Sequence, residues 1–458
     1  MGGDTIAAIA TAMTNAGIGI IRISGTEAVH IADQMIRLKG KKKKISECGT
    51  HTIHYGFVMD GERIVDEVMA VIMKAPRSYT KEDTIEIDCH GGTLVMRTIL
   101  DLAIRCGARA AEPGEFTKRA FLNGRIDLAQ AESVIDLINA KNEFALKASV
   151  DQLNGIVSET VEKMRKKILY EIAYIESAID DPEHYDLEDY GERLLSLSED
   201  LLSEISGLLN NAENGSLLKE GIHTVIVGKP NAGKSSLLNV LAGKERAIVT
   251  EVAGTTRDAI EEQVLLNGIC LNVIDTAGIR STEDLVEKIG VDKAKEYIEK
   301  AELVLYLVDA SIPMDTDDYE IIEHIQDKNV IILLNKSDLD AVVTKEEIIS
   351  RLDKKILFIS VKNREGMDKL YTAIEEMFFQ GKIQMNDQVF LHHARNKQAL
   401  AEVQKSLILV KNSIEEGLPE DFYSIDLMHA YEELGKIIGE SVEDDLVNEI
   451  FSKFCMGK

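Results

Sequence analysis

HTVIVGKPNAGKSSLLNVLAG, residues 223–243, sets an apolar β-branched run, a glycine-rich turn and a helix-forming run in direct succession. Gly228 to Ser236 match G-x-x-x-x-G-K-[ST], and strand, loop, helix is the order that this pattern requires. Its glycines let successive backbone N–H groups curl around phosphate oxygens, and the helix N-terminus adds its dipole. Asn231, Ala232 and Gly233 then line the loop. Lys234 is placed for the β- and γ-phosphates, Ser235 for Mg²⁺, and Ser236 for the loop's far lip.

Outward from this loop the same alternation continues. ICLNVID (269–275), ELVLYLVD (302–309), NVIILLN (329–335) and KILFIS (355–360) are short, apolar and β-branched, each followed by a polar, helix-compatible stretch. That series predicts an α/β unit with a mostly parallel, covered sheet over 221–380. Three short motifs fall at its strand ends. In DTAG (275–278), Asp275 can hold Mg²⁺ through water, Thr276 and Ala277 follow it, and the Gly278 amide can meet the γ-phosphate. In NKSD (335–338), the Asp338 carboxylate suits guanine N1–H and the 2-amino group. Adenine lacks that donor pair, and an unpaired carboxylate in the pocket is costly, so discrimination can reach ~10⁴. Asn335 is expected at the base edge, the Lys336 stem over its face, and Ser360, Val361 and Lys362 as the closing loop. Four motifs in this order point to GTP binding.

Hydrolysis needs a further group. A Ras-like switch places Gln directly after DTAG to orient water. Here that position is Ile279, which has no polar atom, and Glu283, Asp284 and Glu287 are the acidic candidates downstream. IVTEVAGTTRD (248–258) occupies the first-switch position, with Thr256 the natural second Mg²⁺ ligand. Its hydroxyls and flexible carbonyls, together with the Asn231 side chain, could coordinate a monovalent cation beside the phosphates.

The flanks differ in kind. Residues 5–120 mix β-rich runs, such as IGIIRIS (18–24) and TIEIDCHGG (84–92), with a helical run from Leu94 to Ile104, as in a small α+β domain. From 125 to 220 the pattern is helical, with Leu194, Leu197, Leu201, Ile205 and Leu208 on one stripe. After 384 the helical pattern returns in Leu400, Val403, Leu407 and Val410, then in Leu427, Tyr431, Leu434 and Ile438. An acidic connection, 180–192, interrupts the first helical part. The two parts pack as one discontinuous helical domain with the α/β unit inserted, or stand as two separate domains. The expected divisions are 1–120, 121–220, 221–380 and 381–458.

The chain has 458 residues, 45% hydrophobic and 29% charged, which suits about three soluble domains at roughly 150 residues each. Its formal net charge is −27, which excludes a uniformly basic nucleic-acid coat. Residues 1–120 carry 16 Lys+Arg and 15 Asp+Glu, so the remaining 338 carry a net −28. A polyanion would therefore dock at the N-terminal quarter. No apolar run is long enough for a membrane span, and the start does not read as a signal peptide. Five scattered cysteines without a C-x-x-C pair fit reduced thiols in the cytoplasm.

These residues resemble the MnmE (TrmE) family of tRNA uridine-modification GTPases. The resemblance rests on GIIRISG (19–25), YTKEDTIEIDCHGG (79–92), PGEFTKRAFLNGRIDLAQAE (113–132), GSLLKEG (215–221), AIVTEVAGTTRD, IDTAGIR and the terminal FCMGK (454–458). It implies an N-terminal α+β domain that binds a 5-formyl- or 5,10-methylene-tetrahydrofolate and dimerises. Arg22, Glu86, Arg125 and Lys458 fall on the folate-contacting positions, and Cys455 falls where the family carries a cysteine, either a reactive thiol or an idle one. Arg125 stands where Lys is more usual, and TAMTNAG (11–17) lacks the Pro and Arg often found there. The resemblance also implies a potassium-activated GTPase whose GTP-binding domains pair across a homodimer. Asn231, Thr250, Val252 and Thr255 fall on the cation positions and Glu287 on the water-orienting acid, with Glu251, Ala253 and Gly254 completing the nucleotide-contacting loop. Arg257 and Arg280 are the other candidates for the role of an arginine finger. With the flavoprotein MnmG (GidA), such an enzyme installs an aminomethyl-type group at C5 of the wobble uridine of certain tRNAs. A ribosome-assembly GTPase and a signalling switch are the competing classes; the acidic helical flanks and the lack of a basic GXXG module weigh against the first.

Asp338→Asn should exchange GTP for xanthosine triphosphate as the preferred nucleotide. A competition assay in which guanine preference is unchanged would reject the assignment of the base pocket.

Overall fold

The structure is a computed structural model and describes residues 4–40, 43–181, 184, 190–243, 261–266, 269–275, 296–379, 391, 393–440, 444–452, 454 and 457. The chain divides into two compact units, one of Met1–Ile135, Gln152–Leu195 and Lys405–Lys458, the other of Asp136–Asp151 and Ser196–Gln404.

The first unit holds a seven-stranded sheet: β1 (Ile6–Ile9), β2 (Ala16–Ser24), β3 (Ile36–Leu38), β4 (Thr52–Asp60), β5 (Arg63–Met73), β6 (Thr84–Gly91) and β7 (Arg109–Ala110), in the order β3-β4-β5-β6-β2-β1-β7. All pairs are antiparallel except β1 with β7. Side chains alternate across a strand, so Ile21, Ile23, Ile85, Ile87, Ala70 and Ile72 share one face. They form a core with the apolar sides of helices Ala28–Met35 and Thr93–Arg105. The period-two run 84–92 is thus β6, and the expected helix from Leu94 begins one residue earlier. Arg22 and Glu86 face each other across β2 and β6 on the opposite side of that sheet.

Helix Ile156–Asp180 packs along helix Glu420–Ile438, although the whole α/β segment lies between them in sequence. The helical region is therefore discontinuous. Arg165 fastens the pair: its guanidinium lies 4.1 Å from the Tyr431 ring centroid and donates to Glu440 at 2.5 Å. The stripes read from the sequence point inward, with Leu407, Val410, Leu427 and Leu434 all buried. The acidic run falls between the end of helix Ile156–Asp180 and the start of helix Tyr190–Glu220. The C-terminal helix Asp444–Ser452 and Phe454 close on Ala120, Leu128 and Ala131, so the end of the chain is part of this unit's core.

The second unit holds a six-stranded sheet: β8 (Ile222–Val227), β9 (Glu261–Leu266), β10 (Ile269–Asp275), β11 (Leu303–Asp309), β12 (Val330–Asn335) and β13 (Lys355–Phe358), in the order β13-β12-β11-β8-β10-β9. Every pairing is parallel except β9 with β10. β9 is the one strand of this sheet that the apolar pattern misses, because the first half of EEQVLL is polar and it forms an edge hairpin with β10. β11 shows why the sheet reads as continuous apolar runs. Leu303, Leu305 and Leu307 enter the core shared with helices Lys234–Ala242 and Met367–Phe379, while Val304, Tyr306 and Val308 enter the core under helix Thr316–Ile325. Among the described residues, no helix is long and apolar enough to cross a membrane.

Leu434→Ala leaves a cavity at a fully buried position of helix Glu420–Ile438 and should destabilise the protein by about 2–5 kcal/mol. Urea denaturation followed by helical circular dichroism checks it; an unchanged midpoint would refute this packing.

Candidate functional site

β8 delivers the chain into the phosphate loop, and two glycines there are sterically required. Gly228 has φ +150°, and a Cβ on it would lie 2.2 Å from the Leu307 carbonyl of β11. Gly233 has φ +107°, and its Cβ would lie 2.5 Å from Asn335 Nδ2. Released by Gly233, the chain starts helix Lys234–Ala242, whose first turn presents exposed Ser235 and Ser236. Lys234 Nζ donates to the carbonyls of Gly228 at 2.6 Å and Lys229 at 2.8 Å, holding the ammonium across the loop mouth. Asn231 is exposed at the lip, with φ +62°. Asp275 ends β10 opposite Ile226 of β8, which brings the DTAG aspartate to the same edge as the loop.

Asn335 joins these parts. Its Nδ2 donates to the Ala232 carbonyl at 2.8 Å, and its Oδ1 accepts from the Val361 amide at 3.1 Å. The amide thereby braces the phosphate loop against the closing loop, a bridge that the motif alone does not show. Asp338 is exposed, and Ser360 Oγ donates to its Oδ1 at 2.7 Å. That bond, together with nearby Lys362 and Lys336, holds its carboxyl below the usual aspartate range. An ionised carboxylate able to accept two further donors is what guanine requires. Ser360 is fixed in turn by the Asn363 amide, 3.2 Å from its Oγ.

Two supports were not apparent from the motifs. Lys336, with φ +64°, pairs with Asp309 at the end of β11. Burial would raise the Asp309 carboxyl, but Lys336 and Ser311 outweigh it and hold it low. Asp309 ends its strand just as Asp275 ends β10, and that repetition is the signal by which it could be found. Lys229, inside the loop, pairs with Asp315 at 2.8 Å and Asp318 at 2.6 Å, and Tyr306 OH donates to Asp318 at 3.0 Å.

A second cluster forms in the first unit. Arg22 Nε donates to Glu86 at 2.7 Å, and its Nη1 to the Gly457 carbonyl at 3.3 Å. Arg22 and Arg125 both approach the Tyr79 ring, at 5.9 and 4.7 Å from its centroid, and Tyr79 OH pairs with Thr117 Oγ1 at 3.0 Å. Three of the four carried-over folate positions are thus gathered, with the C-terminal tail beside them. Nothing in the sequence singles out Tyr79 beyond its place in YTKED.

Other expected site residues lie outside the described ones: Thr250 to Thr256, Arg257, Thr276, Ala277, Gly278, Arg280, Glu283, Asp284, Glu287, Cys455 and Lys458, and also the side chain of Asp275. Among the described residues no cluster of His, Cys, Asp and Glu forms a metal centre.

A parallel sheet with a phosphate loop after its first strand, and a carboxylate base pocket after another, defines a P-loop GTPase. Comparison with known families is more specific. Residues 5–125 match the family "GTP-binding protein TrmE N-terminus", and residues 128–455 match "MnmE helical domain". Relatives named tRNA modification GTPase MnmE align across almost the whole chain. That of Lachnoclostridium phytofermentans is 57% identical over 99% of both chains, and that of Staphylococcus epidermidis 45% identical, again over 99% of each. The G domain of the T. maritima FeoB iron transporter superposes on 34% of this chain and 97% of its own at 28% identity, with a TM-score of 0.27, too low to establish a shared fold. The chain belongs to the MnmE family of tRNA modification GTPases. It is therefore a GTP hydrolase acting in tRNA modification, which sets aside the ribosome-assembly and signalling classes.

Asn335→Ala leaves the Ala232 carbonyl and the Val361 amide without their partner, each worth about 1–3 kcal/mol when buried. GDP affinity should fall at least about tenfold, read by titration with a fluorescent nucleotide. Wild-type affinity would show that the bridge does not hold the pocket.

Proposed function

We propose that this protein uses potassium-activated GTP hydrolysis to drive insertion of an aminomethyl-type group at C5 of the wobble uridine of certain tRNAs. It acts as a homodimer together with the flavoprotein MnmG. Residues 1–120 hold a tetrahydrofolate derivative and the dimer contacts, 121–220 and 381–458 form the helical body, and 221–380 turn over GTP. The nucleotide part of this proposal is carried by one observation: Asn335 bonds the phosphate loop and the closing loop at once, next to an ionised, accessible Asp338.

In this scheme Lys234 and the loop amides bind the β- and γ-phosphates, and Ser235, Thr256 and Asp275 would hold Mg²⁺, which would neutralise phosphate charge. The donor set suits a hard cation: a hydroxyl at a helix start and a strand-end carboxylate. Asn231, Thr250, Val252 and Thr255 offer oxygens to a potassium ion. Such an ion would supply positive charge where the bridging oxygen becomes negative, a role worth ~10³–10⁵ in rate when an arginine fills it. Glu287 orients the attacking water, the task that Ile279 cannot perform.

The Arg22 cluster suits a pterin. Its carboxylate can accept from an amino-pyrimidine edge, its guanidinium can donate to a ring carbonyl, and Tyr79 adds an aromatic wall. A folate carrier supplies one carbon for the new C5 bond. Arg22, Glu86, Arg125 and Lys458 bind and orient it, and Cys455 lies on the tail that Gly457 fastens to Arg22. The partner's flavin would supply the redox chemistry. The net charge of −27 fits a division of labour in which the partner provides much of the basic tRNA surface.

Two outcomes follow. GTP turnover should be at least about tenfold faster in K⁺ than in Na⁺ at equal ionic strength, and equal rates would remove the cation role. By calorimetry, 5-formyltetrahydrofolate should bind the wild type, and Arg22→Ala should weaken it about tenfold or more; identical isotherms would refute the folate site.

A further inference from the structure

Three side chains from distant parts of the chain meet at the root of the GTP-binding unit. Asp136 lies in the last turn of helix Leu128–Asn139 and is only 5% exposed. Its Oδ1 accepts from Lys219 Nζ at 2.5 Å, and its Oδ2 from His393 Nε2 at 2.9 Å. Lys219 is on the final turn of helix Tyr190–Glu220, directly before β8, and His393 directly precedes helix Ala394–Glu415. One buried carboxylate therefore ties both connections of the α/β segment, the entering and the leaving one. A carboxylate so placed needs its donors, because desolvation penalises the charge strongly when a partner withdraws.

The entering connection is bonded onward. Asn272 Nδ2, on β10, donates to the Glu220 carbonyl at 2.8 Å, and Gln263 Nε2, on β9, donates to Asn272 Oδ1 at 3.1 Å. β9 leaves the first-switch segment, and β10 reaches Asp275 three residues after Asn272. Polar contacts thus run from the strands flanking both switches to the Glu220 carbonyl, and its covalent neighbour Lys219 continues the link to Asp136. Hydrogen bonds are directional, so a shift of β10 along its axis cannot be absorbed at Asn272 without moving the helix end or breaking the bond. Helix Leu128–Asn139 starts three residues after Arg125 and is about 18 Å long at 1.5 Å per residue.

We propose that Asp136 is a positioning residue that delivers the displacement of β10 during GTP turnover to helix Leu128–Asn139. The proposal rests on the GTPase assignment and not on the folate site. Hydrogen–deuterium exchange on the full-length protein in K⁺, with GDP or with GDP and aluminium fluoride, tests it. In the wild type, exchange should differ between the two states in β10 and, by at least about fivefold, in residues 128–139. Asp136→Asn should keep the β10 response and a GDP affinity within about twofold of wild type, while the difference in 128–139 falls to within about twofold. Lys219→Met, which spares the carboxylate, should act alike, and Lys219→Arg should restore the response. A helix response that persists in Asp136→Asn and Lys219→Met, or a wild-type helix that is silent while β10 responds, overturns the proposal alone. A β10 that ignores the nucleotide overturns the proposal and the GTPase assignment of the switch strands together. Should Asp136→Asn fail to fold, the Lys219 pair decides.

Discussion

The amide of Asn335 fixes the distance between the phosphate-loop motif after β8 and the loop after β13. A phosphate loop has no core of its own; it is backbone curled around the place where an anion sits, and only directional polar bonds can hold it open. Asn335 supplies one bond to that loop, through the Ala232 carbonyl, and one to the loop that closes the base pocket, through the Val361 amide. Being on the last residue of a central parallel strand, it is placed by the sheet itself. The spacing between the two loops is thus set by one short side chain whose root the sheet fixes. Gly233 serves the same contact from the other side, since any larger residue would occupy the space of the amide nitrogen.

Around this rigid site the protein separates its surfaces by charge and by sheet. The N-terminal quarter is nearly neutral and presents Arg22 and Glu86 beside Tyr79, with Arg125 from just beyond it, while the rest of the chain is strongly acidic overall. The helices before and after the α/β segment close on each other through Arg165 and Tyr431, and the last helix returns to residues near 120. Such a body is continuous in space although the chain leaves it and returns, and the connections of the α/β segment run past Lys219 and His393. One carboxylate holding both is an economical way to make those connections act together.

Much of this was legible in the residues. The phosphate loop, four of the parallel strands beside β8's apolar run, and the helical stripes follow from periodicity and from glycine chemistry, which are local. β9 was not legible, because half of its residues are polar and its pairing with β10 decides it. The role of Asn335 was legible in place but not in partners: the motif locates the side chain, and only the fold shows which carbonyl and which amide come within reach. Asp309, Lys229 and Asp136 escaped for the same reason. Each is an ordinary charged residue in sequence, and its meaning lies in a contact with a residue far along the chain. The folate positions came from family resemblance alone; read singly, Arg22 and Glu86 are ordinary strand residues, and their 2.7 Å pairing beside Tyr79 appears only once β2 and β6 are in register.

The account as a whole stands or falls on the tRNA. Nucleosides from cells lacking this protein, supplied either with the wild type or with a variant changed at both Arg22 and Glu86, would be compared by mass spectrometry. The account predicts an aminomethyl-type C5 substituent on the wobble uridine with the wild type, and bare C5 in its place with the variant or without the protein. Wobble uridines that carry the substituent equally in all three cells would contradict it.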